Sequence, residues 1–339
     1  MTRLPAPLID AVLCTAFARA HADERYTGMC DASAAVSIGH GRFIVADDEI
    51  DVLRVYQKSA SAPVASLDLI DYLHNRKGTH KNHEGDLEGA AAIGDRIYWI
   101  SSHARKGKDK SVDPHRMRFF TTRITAANPA NGAGVAPVAD APYETLLADL
   151  MADPRFAILA EASKYGPENG NPDGLNIEGL AATPEAALLI GFRNPQPGNK
   201  ALVVSLLNPR EVIARSARPK FGNLIRLDLN GRGIRSFERV NDEYLIVAGP
   251  RGEADKAAVK PAFALFRWSG AADKAPVLVH ALDDGSFRPE ALFYDSDSKE
   301  LVMLSDDGGE KVGTLDCKDT DLPANKKSFR VKRLAWSAR

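Results

Sequence analysis

One order of polar and apolar positions returns five times along the chain: a short polar opening, a run of small residues, a turn, an intensely apolar run and a polar stop. The openings read Asp31-Ala-Ser-Ala-Ala-Val, Asp86-Leu-Glu-Gly-Ala-Ala, Asn176-Ile-Glu-Gly-Leu-Ala, Gly233-Ile-Arg-Ser-Phe-Glu and Arg288-Pro-Glu-Ala-Leu-Phe. The apolar runs are 43–46, 97–100, 187–190, 244–248 and 301–304. Turn formers lie between each opening and its apolar run: Gly39-His-Gly, Gly94-Asp, Thr183-Pro-Glu, Asn241-Asp-Glu and Asp295-Ser-Asp-Ser. Each pair therefore predicts a β-hairpin.

Two further strands follow each hairpin. The third are expected at 51–57, 117–124, 201–208, 262–268 and 311–317; the fourth at 63–69, 134–140, 224–229, 276–282 and 329–336. Four strands repeated five times predict an all-β fold, a five-bladed β-propeller. Measured from Ser33 through Glu88, Glu178, Arg235 and Glu290, the units are spaced 55, 90, 57 and 55 residues apart. The long interval is ascribed to an insertion at 141–175, whose apolar spacing (Leu146, Leu147, Leu150, Met151, Phe156, Leu159) predicts short helices between blades two and three. A degenerate extra blade there, giving a six-bladed ring, is the alternative. Residues 26–339 are read as one propeller domain and 1–25 as an extension or a closing strand, around 12–17.

Composition narrows the function classes. Forty-four basic against 45 acidic side chains, 44% hydrophobic and 26% charged residues exclude disorder and membrane embedding. A net charge of −1 disfavours nucleic acid as the main partner. Cys14, Cys30 and Cys317 are an odd, irregularly spaced set, expected as buried small hydrophobes and not as a disulfide framework. The run 4–18 with Ala20-His-Ala outlines a secretory leader, but Asp10 interrupts it. The expected location is the cytoplasm, with secretion as the alternative.

In a propeller the start of each first strand and the end of each second strand meet at one channel mouth. The first column holds Ser33, Glu88, Glu178, Arg235 and Glu290; the second, 15 to 17 positions later, holds Asp48, His103, Arg193, Arg251 and Asp307. So many converging charges demand counter-charges, a metal or a ligand. Glu88, Glu178 and Glu290, with Asp48 and Asp307, are the expected oxygen ligands for a divalent cation, calcium foremost. Arg193 and Arg251 are expected to clamp an anionic group, with Arg235, Arg288 and Arg105 as further substrate-binding cations. His103 is the expected proton carrier. The insertion and the basic loop 101–116 are expected to overhang this mouth.

At Asp86-Leu-Glu-Gly, Asn176-Ile-Glu-Gly, Phe43-Ile-Val-Ala-Asp-Asp-Glu and Phe287-Arg-Pro-Glu-Ala, the chain resembles a bacterial family of uncharacterised propellers, a domain of unknown function, over roughly 30–336. More distantly, its Glu-Gly openings are similar to those of gluconolactonase, paraoxonase and esterase-like phytase propellers. That resemblance implies a channel metal held by Glu88 and Glu178 and hydrolysis of esters, lactones or phosphoesters. Ser33 and Arg235 depart from the pattern, standing where a carboxylate or amide would be expected.

Other chemistries lack their motifs: no phosphate-binding glycine loop, dinucleotide-binding glycine pattern or Gly-x-Ser-x-Gly elbow is present. His74, His80 and His83 are read as solvent-exposed, and Asp295-Ser-Asp-Ser as a hairpin turn and not a calcium loop. The expectation is a metal-assisted hydrolase of an anionic small molecule, with no membrane partner. The alternative is a non-enzymatic propeller that binds a ligand or protein at the same mouth.

Overall fold

The structure, a computed structural model, describes residues 24–78, 82–106, 112–125, 134–166, 173–251, 262–282 and 285–337. Strand β1 (Glu24–Thr27) precedes the first blade, β2 (Ala34–Gly39), β3 (Arg42–Ala46), β4 (Val52–Gln57) and β5 (Ala65–Asp68). Blade two is β6 (Leu87–Ile93), β7 (Arg96–Ser101), β8 (Phe119–Ile124) and β9 (Val135–Pro137). Helices α1 (Leu146–Met151) and α2 (Ala157–Ala162) lead to blade three, β10 (Asn176–Ala182), β11 (Leu188–Asn194), β12 (Ala201–Leu206) and β13 (Phe221–Leu227). A short α3 (Pro209–Ile213), not anticipated from sequence, sits between β12 and β13. Blade four is β14 (Gly233–Val240), β15 (Glu243–Gly249), β16 (Ala264–Trp268) and β17 (Val277–Ala281). Each of these sheets is antiparallel, with strands in chain order from the channel outward.

The fifth sheet breaks that order. After β18 (Pro289–Asp295) and β19 (Glu300–Ser305), the third place expected for 311–317 is taken by β22 (Ser328–Ala335). Residues 311–316 form only a hairpin of two-residue strands, β20 (Lys311–Val312) and β21 (Leu315–Asp316), turning at Gly313. Two residues cannot run the length of six-residue β19, whereas eight can. β22 thus stands third, and β1 supplies the fourth strand, with Glu24 opposite Val331 and Thr27 opposite Ser328. The amino-terminal strand closes the ring and covers the edge of β22. The expected closing segment at 12–17 lies outside the described residues.

Closure brings Cys30 and Cys317 together as a disulfide with Cα atoms 5.9 Å apart. This corrects the expectation of inert buried thiols. The spacing of 287 residues gave no hint, because only ring closure makes the two segments neighbours.

The core is five apolar seams, one between each pair of adjacent blades. Successive side chains of a strand face opposite ways, so a second strand buried on both faces must be apolar throughout. In β7, Ile97 and Trp99 fill the seam with blade one, while Tyr98 and Ile100 fill the seam with blade three. That accounts for the unbroken apolar runs in the sequence. The closing seam packs Tyr26 of β1 against Phe43, Tyr56 and Phe329, at ring-centroid distances of 5.1–5.8 Å. Residues 146–162 add Leu146, Leu150, Phe156 and Leu159 to the seam of blades two and three; they are helical and form no sixth blade.

Candidate functional site

The inner strands of blades two to five share a local irregularity. Leu87 pairs with Ser101 but Gly89 with Ile100, leaving Glu88 as an extra residue. The same one-residue shift isolates Glu178, Arg235 and Glu290. A bulge of this kind bends the strand and re-aims the unpaired side chain. All four bulged side chains line the channel mouth. Blade one has no such shift at this end: Ser33 instead donates its hydroxyl to the Leu87 carbonyl of the next blade at 2.6 Å. The glycine after Glu88 and after Glu178 has its own cause, where blade five has Ala291. A Cβ on Gly89 would stand 3.0 Å from Leu180 Cβ of the next inner strand, and one on Gly179 only 2.7 Å from Ile234 Cγ2. Neighbouring inner strands approach too closely at the axis for a side chain there.

The mouth is a cavity of about 370 Å³, and its charges segregate. On blades three to five, Glu178 Oε1 accepts from Arg193 at 2.7 Å and from Asn176 Nδ2 at 2.8 Å, while Arg235 lies 3.0 Å from Glu178 Oε2. Arg235 also pairs with Glu290 and lies 5.8 Å over the Phe263 ring. The result is a chain of alternating charge in which Glu178 Oε1 accepts from both guanidinium groups, while its Oε2 is ion-paired to Arg235 without a hydrogen bond. Arg288 also lines this cavity.

On blades one and two carboxylates crowd together, and among them Asp86 has an ion-pair partner in Arg116. Oxygens of Asp48, Asp86 and Glu88 lie within 4.8 Å of one another, as do those of Asp31, Asp47 and Asp48. Burial, then the neighbouring Glu178 and Asp86, holds Glu88 well above the usual carboxylate range; burial and then Glu88 do the same to Asp48. Burial pushes Asp31 up to about 9, reinforced by its hydrogen bond to Asp306, and Asp47 up to about 7. Asp86 reaches only about 6, because Arg116 at 3.0 Å and Ser102 oppose its burial. Asp48 Oδ1 is buried with no hydrogen-bond partner.

These residues fit a divalent cation. Calcium takes carboxylate oxygens at ~2.3–2.6 Å in irregular geometry, so oxygens within 4.8 Å of one another can share one ion. Such an ion would also give the buried Asp48 oxygen a partner.

The structure thus brings Asp48, Glu88, Glu178, Arg193, Arg235, Arg288 and Glu290 to one cavity. Four other candidates lie elsewhere. Asp307 is buried beside Ser305 and accepts from the Arg330 backbone and guanidinium at 2.9 Å, a tie within blade five. Its neighbour Asp306 lines the mouth instead. Arg251 pairs with Asp173 at 2.9 Å. Arg105 donates to the Ser163 carbonyl at 2.6 Å, and it lines a second cavity together with His103. His103 sets its Nδ1 2.8 Å from the Ser101 carbonyl, and burial pushes it down to about 4. The described part of the insertion, 141–166, contributes no residue to the mouth lining. Asp31, Asp47 and Asp86, at strand openings or stops in the repeat, were not singled out from sequence; they cluster with Asp48 or Glu88 behind the mouth lining, and Asp31 and Asp47 line a separate cavity.

His80 lies outside the described residues. His83 stacks on His115 at 3.7 Å with the rings 8° from parallel, and both lie near Asp113. Parallel rings direct their in-plane lone pairs alongside one another, which disfavours one shared ion. No helix among the described residues is long and apolar enough to cross a membrane.

Residues 121–286 match the family described as "Protein of unknown function (DUF3616)". No curated protein matches the chain. Among solved structures, glutaminyl cyclase of Myxococcus xanthus is similar at TM-score 0.45 and 12% identity, over 94% of this chain and 97% of that one. The PQQ-bound aldose sugar dehydrogenase of Streptomyces coelicolor is similar at TM-score 0.44 and 12% identity, over 91% and 96%.

Proposed function

We propose that the channel mouth holds a divalent cation on Asp48, Asp86 and Glu88 and hydrolyses a small anionic ester, lactone or phosphoester bound between that cation and the arginine side. The observation that carries this reading is the buried, partnerless oxygen of Asp48, which belongs to two carboxylate clusters and lines, with Glu88, the same mouth as Arg193, Arg235 and Arg288. A cation there would lower the pKa of bound water and polarise a substrate oxygen. The guanidinium groups would orient the anionic end, and the Glu178 and Glu290 carboxylates fix where those groups stand. Calcium suits the all-oxygen donor set best. The Cys30–Cys317 bridge favours an oxidising compartment over the cytoplasm expected from composition.

Elemental analysis after dialysis, followed by calcium titration calorimetry, tests the reading on wild type, Asp48→Asn and Glu178→Gln. The expected result is one ion per chain, lost in Asp48→Asn and kept in Glu178→Gln. A screen of nitrophenyl phosphate, nitrophenyl acetate and a lactone should then show turnover that disappears with Asp48→Asn. A wild type that binds no cation at millimolar calcium refutes the reading. The mouth would then be a salt-bridged ring serving a non-catalytic ligand.

A further inference from the structure

A second cavity, also of about 370 Å³, lies between the chain following β7 and the helical insertion. It shares no lining residue with the channel mouth. Met117, Leu147, Ala148 and Met151 give it a largely apolar wall, and its size falls in the range of small-molecule sites. Its polar lining is mostly engaged: Glu144 pairs with Arg118 at 3.1 Å, Thr145 with Asp149 at 3.0 Å, and Ser163 Oγ donates to Ala160 O at 2.8 Å.

His103 is the exception. It is 2% exposed, in left-handed backbone at φ 53°, with its N–H donating to the Arg116 carbonyl. A carbonyl only accepts, so the Ser101 contact at Nδ1 fixes the proton there and leaves Nε2 an acceptor. Nε2 is buried with no hydrogen-bond partner. A buried acceptor left unpaired is unfavourable, and a ligand donor would relieve it.

We propose that this cavity binds a neutral, largely apolar small molecule carrying one hydroxyl or N–H donor, with His103 Nε2 as the acceptor. The charged lining residues Arg105 and Glu144 are engaged by the Ser163 carbonyl and Arg118, so the apolar wall disfavours a strongly charged ligand and the unpaired acceptor selects for one donor. The site is independent of the cation and of the chemistry at the mouth.

The test uses the full chain with 1-naphthol and naphthalene as probes, in calorimetry and in long-range proton–nitrogen NMR of the histidine rings. Naphthol should bind saturably and shift the His103 Nε2 resonance, with affinity unchanged by chelator. Naphthalene should bind about tenfold more weakly, equivalent to ~1.4 kcal/mol, without that shift. His103→Asn, which tolerates left-handed backbone, should reduce naphthol to the naphthalene level. Met151→Trp, which fills the cavity, should abolish binding of both. Should His103→Asn not fold, the naphthol-to-naphthalene ratio and Met151→Trp decide. Absence of a saturable shift, or equal affinities for the two probes, overturns the proposal.

Discussion

Arg235 holds two carboxylates of the mouth at once, so replacing it with Met tests the charge chain directly. Its side chain is 7% exposed, lies 3.0 Å from Glu178 and pairs with Glu290. Methionine keeps the packing beside Phe263 but removes the charge. Glu178 retains Arg193 and Asn176, whereas Glu290 loses the ion-pair partner that the geometry gives it. Breaking a buried pair by deleting one partner costs about 3–5 kcal/mol, and the surviving contacts of Glu178 argue for the lower figure, ~3 kcal/mol. For a chain of this size, ~2 °C per kcal/mol translates that into a fall of about 6 °C in Tm. The assay is urea unfolding followed by tryptophan fluorescence, on wild type, Arg235→Met, Glu290→Gln and the double variant. Gln at 290 removes the stranded charge, so the double variant should recover at least half of the loss. A loss below ~0.5 kcal/mol, the size of an ordinary surface substitution, would refute the reasoning. So would a loss that the second substitution leaves unchanged.

Two further outcomes follow from the same geometry. Asp86, Asp47 and Asp31 sit at about 6, 7 and 9, with Asp48 and Glu88 also raised. A raised acid contributes stability that is full below its unfolded value, near pH 4, and lost as pH climbs through the folded one. In chelator the urea midpoint should therefore fall between about pH 5 and pH 9, and calcium should restore it most at the alkaline end; a rising midpoint indifferent to calcium would contradict this. Replacing Cys30 and Cys317 together by Ala should lower stability by about 2–5 kcal/mol. Dithiothreitol should reproduce that loss in wild type and leave the variant unchanged, and peptide mapping without reduction should find the two cysteines linked.

The sequence by itself determined the five-fold repeat, the hairpin at the head of each blade, the helical nature of 146–162 and the first-strand column from which Glu88, Glu178, Arg235 and Glu290 reach the mouth. These are local matters. Strand alternation, turn residues and the glycines after Glu88 and Glu178 are written within one repeat. What it left open concerns residues of different repeats. Glu178 and Glu88 occupy the same place in their repeats, yet one is engaged by two arginines and the other stands among acids, because their neighbours round the ring differ. A shift of one residue sends Asp306 to the cavity and Asp307 to Arg330. The positive φ at His103 belongs to the turn that sets it beside a second cavity and away from the mouth. The exchange of 311–317 for 328–335, the closing strand at Glu24–Thr27 and the Cys30–Cys317 bridge were decided only when the ends of the ring met. Pairing across that junction depends on distance in space, and the order of residues along the chain does not encode it.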